Sequence, residues 1–307
     1  MLQSLRSTWF SGTPLALDLG TSRTQVYAPV RGLLIDEPTL LAWDRSGQAF
    51  AAGRRAWEAS VSTGARLSCP VRRGLPVAPI ECARYLHLLF EQYRLRVDGP
   101  VVLAIPTVAS SYEASVLTSV PASVTGARIL PVGSPLAAAI GTGLPLHEPV
   151  SGLICDLGAG VLELGAVGDG RLLAQSSATV GTREYLDDPD RLVVLATWAL
   201  QRLLEKVSTT IARQLVAGPV HVVGGGALLP GLEARLADGF QMEAIVHDQP
   251  RQAVIDGLTR CLGRARGPGG TALNPVQERE GPHRAPPRSG MGYLLNTNCL
   301  SARTEPR

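Results

Sequence analysis

One stretch of this 307-residue chain occurs twice. LALDLGTSRTQVYAP at 15–29 returns in outline as GLICDLGAGVLELGAV at 152–167. Each copy is an apolar run ending in Asp-Leu-Gly, then a turn of small residues, then a second apolar run. A single Asp-X-Gly turn between two strands reads as an ordinary hairpin. Two copies in matching contexts predict a duplicated core, with one such hairpin in each of two similar lobes.

The chemistry of the paired turns narrows what they serve. Glycine lets the main chain approach an anion closely and leaves its N–H groups unobstructed, so such a turn can cradle phosphate oxygens. A carboxylate at each strand end, here Asp18 and Asp156, suits a hydrated Mg²⁺ that keeps several waters. Hydroxyls such as those of Thr21 and Ser22 add donors without adding repulsive charge.

The remaining pattern alternates strand and helix. Strands are predicted at 15–19, 24–30, 100–105, 127–132, 152–157, 161–167, 220–223 and 242–246. Helices are predicted near 80–95, 109–119, 135–142, 190–216 and 251–262. This alternation implies an α/β layer fold with helices over mostly parallel strands. In the long segment 190–216, Leu192, Ala196, Ala199, Leu203 and Val207 form a stripe expected to face the core. The Gly- and Pro-rich segment 267–307 has no hydrophobic period and reads as a disordered, mildly basic tail. A net charge of +3, with no Lys/Arg run interleaved with aromatics, gives no nucleic-acid footprint. Five scattered cysteines without CxxC spacing argue against a metal cluster or a disulfide framework and fit a reducing compartment.

With both hairpins placed, the sequence resembles the actin, sugar-kinase and heat-shock-chaperone superfamily, and within it the bacterial MreB-type rod-shape proteins. The resemblance rests on a series of stretches in the family's order. These are MLQSLRSTWFSGTPLALDLGTSRTQVY, RGLLIDEPTLLAWD, VRRGLPVAPIE, VVLAIPTVASSYEASVL, PVGSPLAAAIGTGLP, GLICDLGAGVLELGAV and VHVVGGGALLPGLEARL. It implies a two-lobed actin-like (ribonuclease-H-like) fold with a duplicated core, and ATP or ADP with Mg²⁺ in the cleft. By the same resemblance, Gly20, Thr21, Ser22 and Arg23 form a first phosphate loop after Asp18. Gly158, Ala159 and Gly160 form a second after Asp156, and Gly224, Gly225, Gly226 and Ala227 approach the adenosine. A Gly-Gly-Gly run after a strand is otherwise only a flexible turn.

Three departures from the family matter. Gly133-Ser134-Pro135 stands where the family has Glu-Glu-Pro, so the carboxylate that orients the attacking water is replaced by Ser134. Ser134 reads as a helix N-cap, with Pro135 at the first helical position. The second phosphate loop has Ala159, Val161 and Leu162 in place of a glycine and two threonines. After VGTREY (180–185) the chain passes almost directly to a helix, where the family inserts a small outer subdomain with a ribose contact. The expected layout is therefore a membrane-proximal segment 1–13, lobe I with a small outer subdomain over 14–147, lobe II with its outer subdomain reduced over 148–266, and the tail 267–307.

At the N-terminus, Leu2, Leu5 and Trp9 fall at helical spacing with Phe10 adjacent. That is the pattern of an amphipathic helix lying in a membrane interface. The alternative is a terminus packed on the body. Taken together, the sequence predicts a cytoplasmic cytoskeletal protein, peripheral at the inner face of the membrane, with binding retained and hydrolysis weak or absent. Its implied partners are itself or a longer MreB-type homologue, together with envelope-synthesis membrane proteins. The competing readings are a nucleotide-free actin-fold adaptor and a small-molecule kinase. The kinase reading lacks a suitable Asp in PTVASSYEAS.

Overall fold

The computed structural model describes residues 13–29 and 31–264. The expected membrane segment (Leu2, Leu5, Trp9, Phe10) and the tail 267–307 lie outside these residues.

The first half opens with three strands, β1 (Leu15–Leu19), β2 (Arg23–Ala28) and β3 (Gly32–Pro38). An outer three-stranded sheet follows, formed by β4 (Leu41–Trp43), β5 (Ala49–Ala52) and β6 (Arg66–Ser68) with helix α1 (Arg54–Thr63). A short hairpin, β7 (Val71–Arg72) and β8 (Leu75–Pro76), leads to α2 (Pro79–Gln92), β9 (Val101–Ile105), α3 (Ser111–Thr125), β10 (Ile129–Gly133) and α4 (Ser134–Thr142). The second half runs β11 (Gly152–Leu157), β12 (Leu162–Gly168), β13 (Arg171–Ala178), a 3-10 turn at Thr182–Tyr185, α5 (Pro189–Leu204), α6 (Thr209–Val216) and β14 (Val220–Val223). A second 3-10 turn at Gly225–Leu228, α7 (Leu232–Phe240), β15 (Ala244–Val246) and α8 (Ala253–Arg264) complete it.

The duplication is explicit in the sheets. One five-stranded sheet has the order β10-β9-β1-β2-β3; the other reads β13-β12-β11-β14-β15. Laid over each other, β1 corresponds to β11, β2 to β12, β3 to β13, β9 to β14 and β10 to β15. In both, the first three strands are antiparallel and the last two join in parallel. Mostly parallel sheets were expected. Each is half antiparallel, because two tight turns join its first three strands where a parallel pair would need a crossover.

Each sheet is covered by its own apolar cluster. Lobe I packs Cys82, Tyr85, Leu86 and Leu89 of α2 against Leu15, Leu17 and Leu103. In lobe II, Leu192, Ala196, Ala199 and Leu203 of α5 pack on Leu153, Leu162 and Leu164, while Val207 joins from the cluster's edge. A third cluster joins the lobes. Helix α8, from the end of the second half, lies on β1 and β9, and α4, from the end of the first, lies on β11 and β12. The two helices cross where each lacks a side chain. A Cβ on Gly141 would stand 1.8 Å from the carbonyl oxygen of Ala253, and one on Gly257 1.7 Å from that of Ala137.

Several predicted boundaries move for identifiable reasons. The single helix expected over 190–216 is two, because Ser208 adopts extended backbone and its hydroxyl accepts from the Ile211 N–H to cap α6. Helix α3 does not stop before Pro121 but runs through it to Thr125, with Gly126 as its C-cap. It is opened by a Ser110–Glu113 capping box and held by buried Leu117, Val120 and Pro121. Ser134 is not the N-cap of α4. Gly133 holds that place, Ser134 is the first helical residue, and its hydroxyl makes no cap hydrogen bond.

Candidate functional site: the interlobe cleft

The two Asp-Leu-Gly turns meet at the cleft between the lobes, and they are built alike. Gly20 N–H donates to the Arg23 carbonyl at 2.9 Å, and Gly158 N–H to the Val161 carbonyl at 3.0 Å. A Cβ at Gly20 would stand 2.8 Å from the Arg23 oxygen, and one at Gly158 2.9 Å from the Val161 oxygen. Neither turn closes with a side chain there. The N–H groups of Thr21 and Ser22 in the first turn, and of Ala159 and Gly160 in the second, donate to no acceptor among the described residues. The four residues that carry these N–H groups line one cleft, together with Asp18 and Asp156 at the strand ends. Successive main-chain N–H groups with no protein acceptor in a glycine-bearing turn are the kind of arrangement that can take an anion.

The turns also touch. A Cβ on Gly160 would lie 2.7 Å from Thr21 Oγ1 and 3.0 Å from the Arg73 nitrogen. Thr21 Oγ1 itself accepts from the Gly74 N–H at 2.8 Å, so this hydroxyl is committed to the β7–β8 hairpin. Arg23, expected in the first phosphate loop, lines the cleft but directs its guanidinium to Asp36. Its Nε is 2.7 Å from Asp36 Oδ1, and a second nitrogen donates to the Asp36 carbonyl at 3.0 Å.

Gly224, Gly225 and Gly226 line the same cleft, with Gly224 in the left-handed region at φ 84°. A Cβ there would meet Asp156 Oδ1 at 2.4 Å, so the third loop passes directly beside the second carboxylate. Ala227 turns away and packs into the core of lobe II. Ser134, at 7% exposure, lies at the head of α4 on the cleft wall.

Sequence reasoning missed one carboxylate of the cleft. Glu163 faces the cleft from β12, 5% exposed, and its Oε1 accepts from the Thr107 N–H at 2.5 Å and the Thr107 hydroxyl at 2.8 Å. It ties the lobe I loop after β9 to lobe II. The repeat could have revealed it, since Glu163 pairs with Asp156 as Gln25 pairs with Asp18.

Three acidic groups therefore share a cleft with little compensation. Burial, reinforced by the charges of Asp156 and Asp36, pushes Asp18 up to about 7. Burial raises Asp156 to about 6. Glu163 rises to about 8 through burial and then the neighbouring Asp156 and Asp18 charges, against the lowering effect of its Thr107 hydrogen bonds. Neither Asp18 nor Asp156 accepts a side-chain hydrogen bond among the described residues, so both carboxylates are available to a hydrated cation. No group of three or more His, Cys, Asp or Glu side chains is arranged to ligate a metal directly among those residues.

Two lobes of identical strand order, joined at crossing helices, with paired hairpin turns facing each other across a cleft, define an actin-like protein. The chain belongs to the MreB/Mbl family, whose model matches residues 12–191 and 190–267. It is 20% identical over 313 residues to the cell shape-determining protein Mbl of Bacillus subtilis strain 168, an alignment covering 79% of this chain and 93% of that protein. It is 24% identical over 192 residues to the cell shape-determining protein MreB of Escherichia coli K12, covering 59% of this chain and 55% of that one. Its fold matches the crystal structure of Spiroplasma citri MreB5 bound to ADP, with a TM-score of 0.71 and 20% identity over 80% of this chain and 95% of that one. The AMPPNP-bound form of the same protein matches at the same TM-score.

Proposed function

We propose that this chain binds ATP or ADP with Mg²⁺ in the interlobe cleft and acts as an MreB-type cytoskeletal subunit or scaffold in cell-shape or envelope morphogenesis, with weak or absent hydrolysis. The observation that carries the reading is the facing pair of turns, whose four unpaired N–H groups suit a chain of phosphates. The nucleotides in the Spiroplasma citri MreB5 structures and the cell-shape role named for the bacterial relatives support it.

The division of labour follows from the residues. The N–H groups of Thr21, Ser22, Ala159 and Gly160 bind phosphate oxygens, and Asp18 and Asp156 hold Mg²⁺ through its waters. The cation offsets phosphate charge beside three buried acids. The bare backbone of Gly224–Gly226 lets a nucleoside approach closely. Chemistry at the terminal phosphate lacks support. Ser134 is a neutral hydroxyl that accepts a proton poorly, the side chains of Val161 and Leu162 offer no donors, and loss of a positioned base typically costs about 10²–10⁴ in rate.

Assembly with itself or with a longer MreB-type homologue follows the family's habit of self-polymerisation. Association with the inner face of the membrane, through Leu2, Leu5, Trp9 and Phe10, and with envelope-synthesis membrane proteins rests on the sequence pattern. Among the described residues no helix is long and apolar enough to cross a membrane. Calorimetric titration of the full chain with ADP, with and without Mg²⁺, tests the reading. Binding that requires Mg²⁺ and is lost in Asp156→Ala supports it, and a wild-type chain that takes up no nucleotide refutes it.

A further inference from the structure

The N–H groups of the two turns do not face the cleft by themselves. In each lobe a threonine that follows the third strand reaches back to the glycine of the turn. Thr39, just beyond β3, donates its hydroxyl to the Gly20 carbonyl at 2.8 Å and its N–H to the Ser22 carbonyl at 3.0 Å. Thr182, beyond β13, donates its hydroxyl to the Gly158 carbonyl at 3.3 Å and its N–H to the same oxygen at 3.0 Å. Gly20 and Gly158 are counterparts in the repeat, and β3 and β13 hold the same place in the two sheets. The two threonines thus do the same work by the same route.

The consequence lies in peptide geometry. A trans peptide is planar, so its N–H points opposite to the carbonyl of the preceding residue. Tying back the Gly20 carbonyl turns the Thr21 N–H the other way, and tying back the Gly158 carbonyl does the same for Ala159. Both are among the donors left without a protein acceptor. The ties also remove two carbonyl dipoles that would repel an anion. Both threonines are fixed where they stand. Thr39 is 1% exposed and its hydroxyl is 3.0 Å from that of Thr24, which completes its hydrogen bonding. Thr182 is 7% exposed and lies against the third loop, where a Cβ on Gly226 would stand 2.1 Å from its methyl carbon.

We infer that Thr39 and Thr182 are a matched pair of positioning residues that orient the phosphate-binding N–H groups of the two turns toward an anionic, phosphate-bearing ligand. This rests on the nucleotide reading of the cleft. Neither threonine need touch the ligand, because each acts through the peptide plane that it holds.

The test uses the full chain, titrated calorimetrically with ADP and with pyrophosphate in the presence of Mg²⁺. Thr39→Val and Thr182→Val keep the shape and delete the hydroxyl, whereas the Ser variants keep the hydroxyl. Each Val variant should weaken both ligands about fivefold to tenfold, and each Ser variant should stay within about twofold of wild type. Val variants that bind as wild type does, or Ser variants that lose as much as Val, overturn the assignment. Should a Val variant fail to fold, amide shifts in the wild-type chain decide. Thr21 and Ala159 should rank among the largest movers on ADP addition, and if they stay still while ADP binds the assignment is overturned. A wild-type chain that takes neither ADP nor pyrophosphate removes the nucleotide reading itself, and this inference with it.

Discussion

Glu163 stands directly opposite Asp156 on the paired strands β11 and β12, so two buried carboxyl groups belong to one antiparallel register pair. In the other lobe the same place opposite Asp18 holds the neutral Gln25. The duplication is thus broken by one charge. The interlobe hydrogen bond from Thr107 falls on the lobe that carries it.

That arrangement fixes a pH dependence. Asp18, Asp156 and Glu163 all have folded-state values raised, to about 7, 6 and 8 respectively. Between the ordinary carboxylate range and these values, the folded chain holds protons that the unfolded chain has released. Stability of the ligand-free protein should therefore fall as pH rises from about 4 to about 8. Glu163→Gln keeps an acceptor for Thr107 and removes the group that titrates highest, so its stability curve should be flatter between pH 6 and 8. Urea denaturation at a series of pH values measures this, and identical slopes for the two proteins would contradict it.

Asp156→Asn exchanges a charge for a neutral side chain of the same shape. At pH 8 and without ligand it should be at least as stable as wild type, because it removes a buried acid. Its nucleotide affinity with Mg²⁺ should fall by at least about tenfold, while any binding without Mg²⁺ should change little. Paired thermal scans and calorimetry separate these effects. A variant that loses stability and keeps Mg²⁺-dependent binding would show that Asp156 is structural.

Gly257→Ala places a methyl where the Ala137 carbonyl oxygen is, at 1.7 Å. Helices α4 and α8 must then separate. Overpacking of this kind costs about 1–3 kcal/mol or more, which lowers Tm by roughly 5 °C. Differential scanning calorimetry reads the change. An unaltered Tm would mean that the helices do not meet main chain to main chain.

Ser134→Glu restores a carboxylate at the cleft wall where the chain has a hydroxyl. Phosphate release from ATP by the wild-type chain should be near background, and the variant should raise it at least about tenfold, within the 10²–10⁴ span a positioned base supplies. Wild-type turnover that already matches the variant's would remove Ser134 from the explanation of slow hydrolysis.

What was legible in the sequence is what is local. Asp18, Gly20, Asp156 and Gly158 declare their turns within a few residues, and comparing the copies identifies a duplicated core. Glu163 is legible by the same comparison, as the counterpart of Gln25. Thr39 and Thr182 were not, because their partners lie 19 and 24 residues back and the separation depends on how long each third strand runs. The break between α5 and α6 was hidden by a hydrophobic period that carries on through Val207, although Ser208-Thr209-Thr210 is a serviceable start signal. Arg23 looks like a phosphate ligand in the linear sequence. Its engagement by Asp36 depends on β2 and β3 being paired.

Most helix pairs are spaced by the side chains between them, so their separation varies with each substitution. At the crossing of α4 and α8 the spacer is the peptide group itself, since Gly141 and Gly257 bring each helix onto the other's carbonyls. The lobes are thus joined behind the cleft by main chain against main chain, with two hydrogen atoms standing where side chains would be.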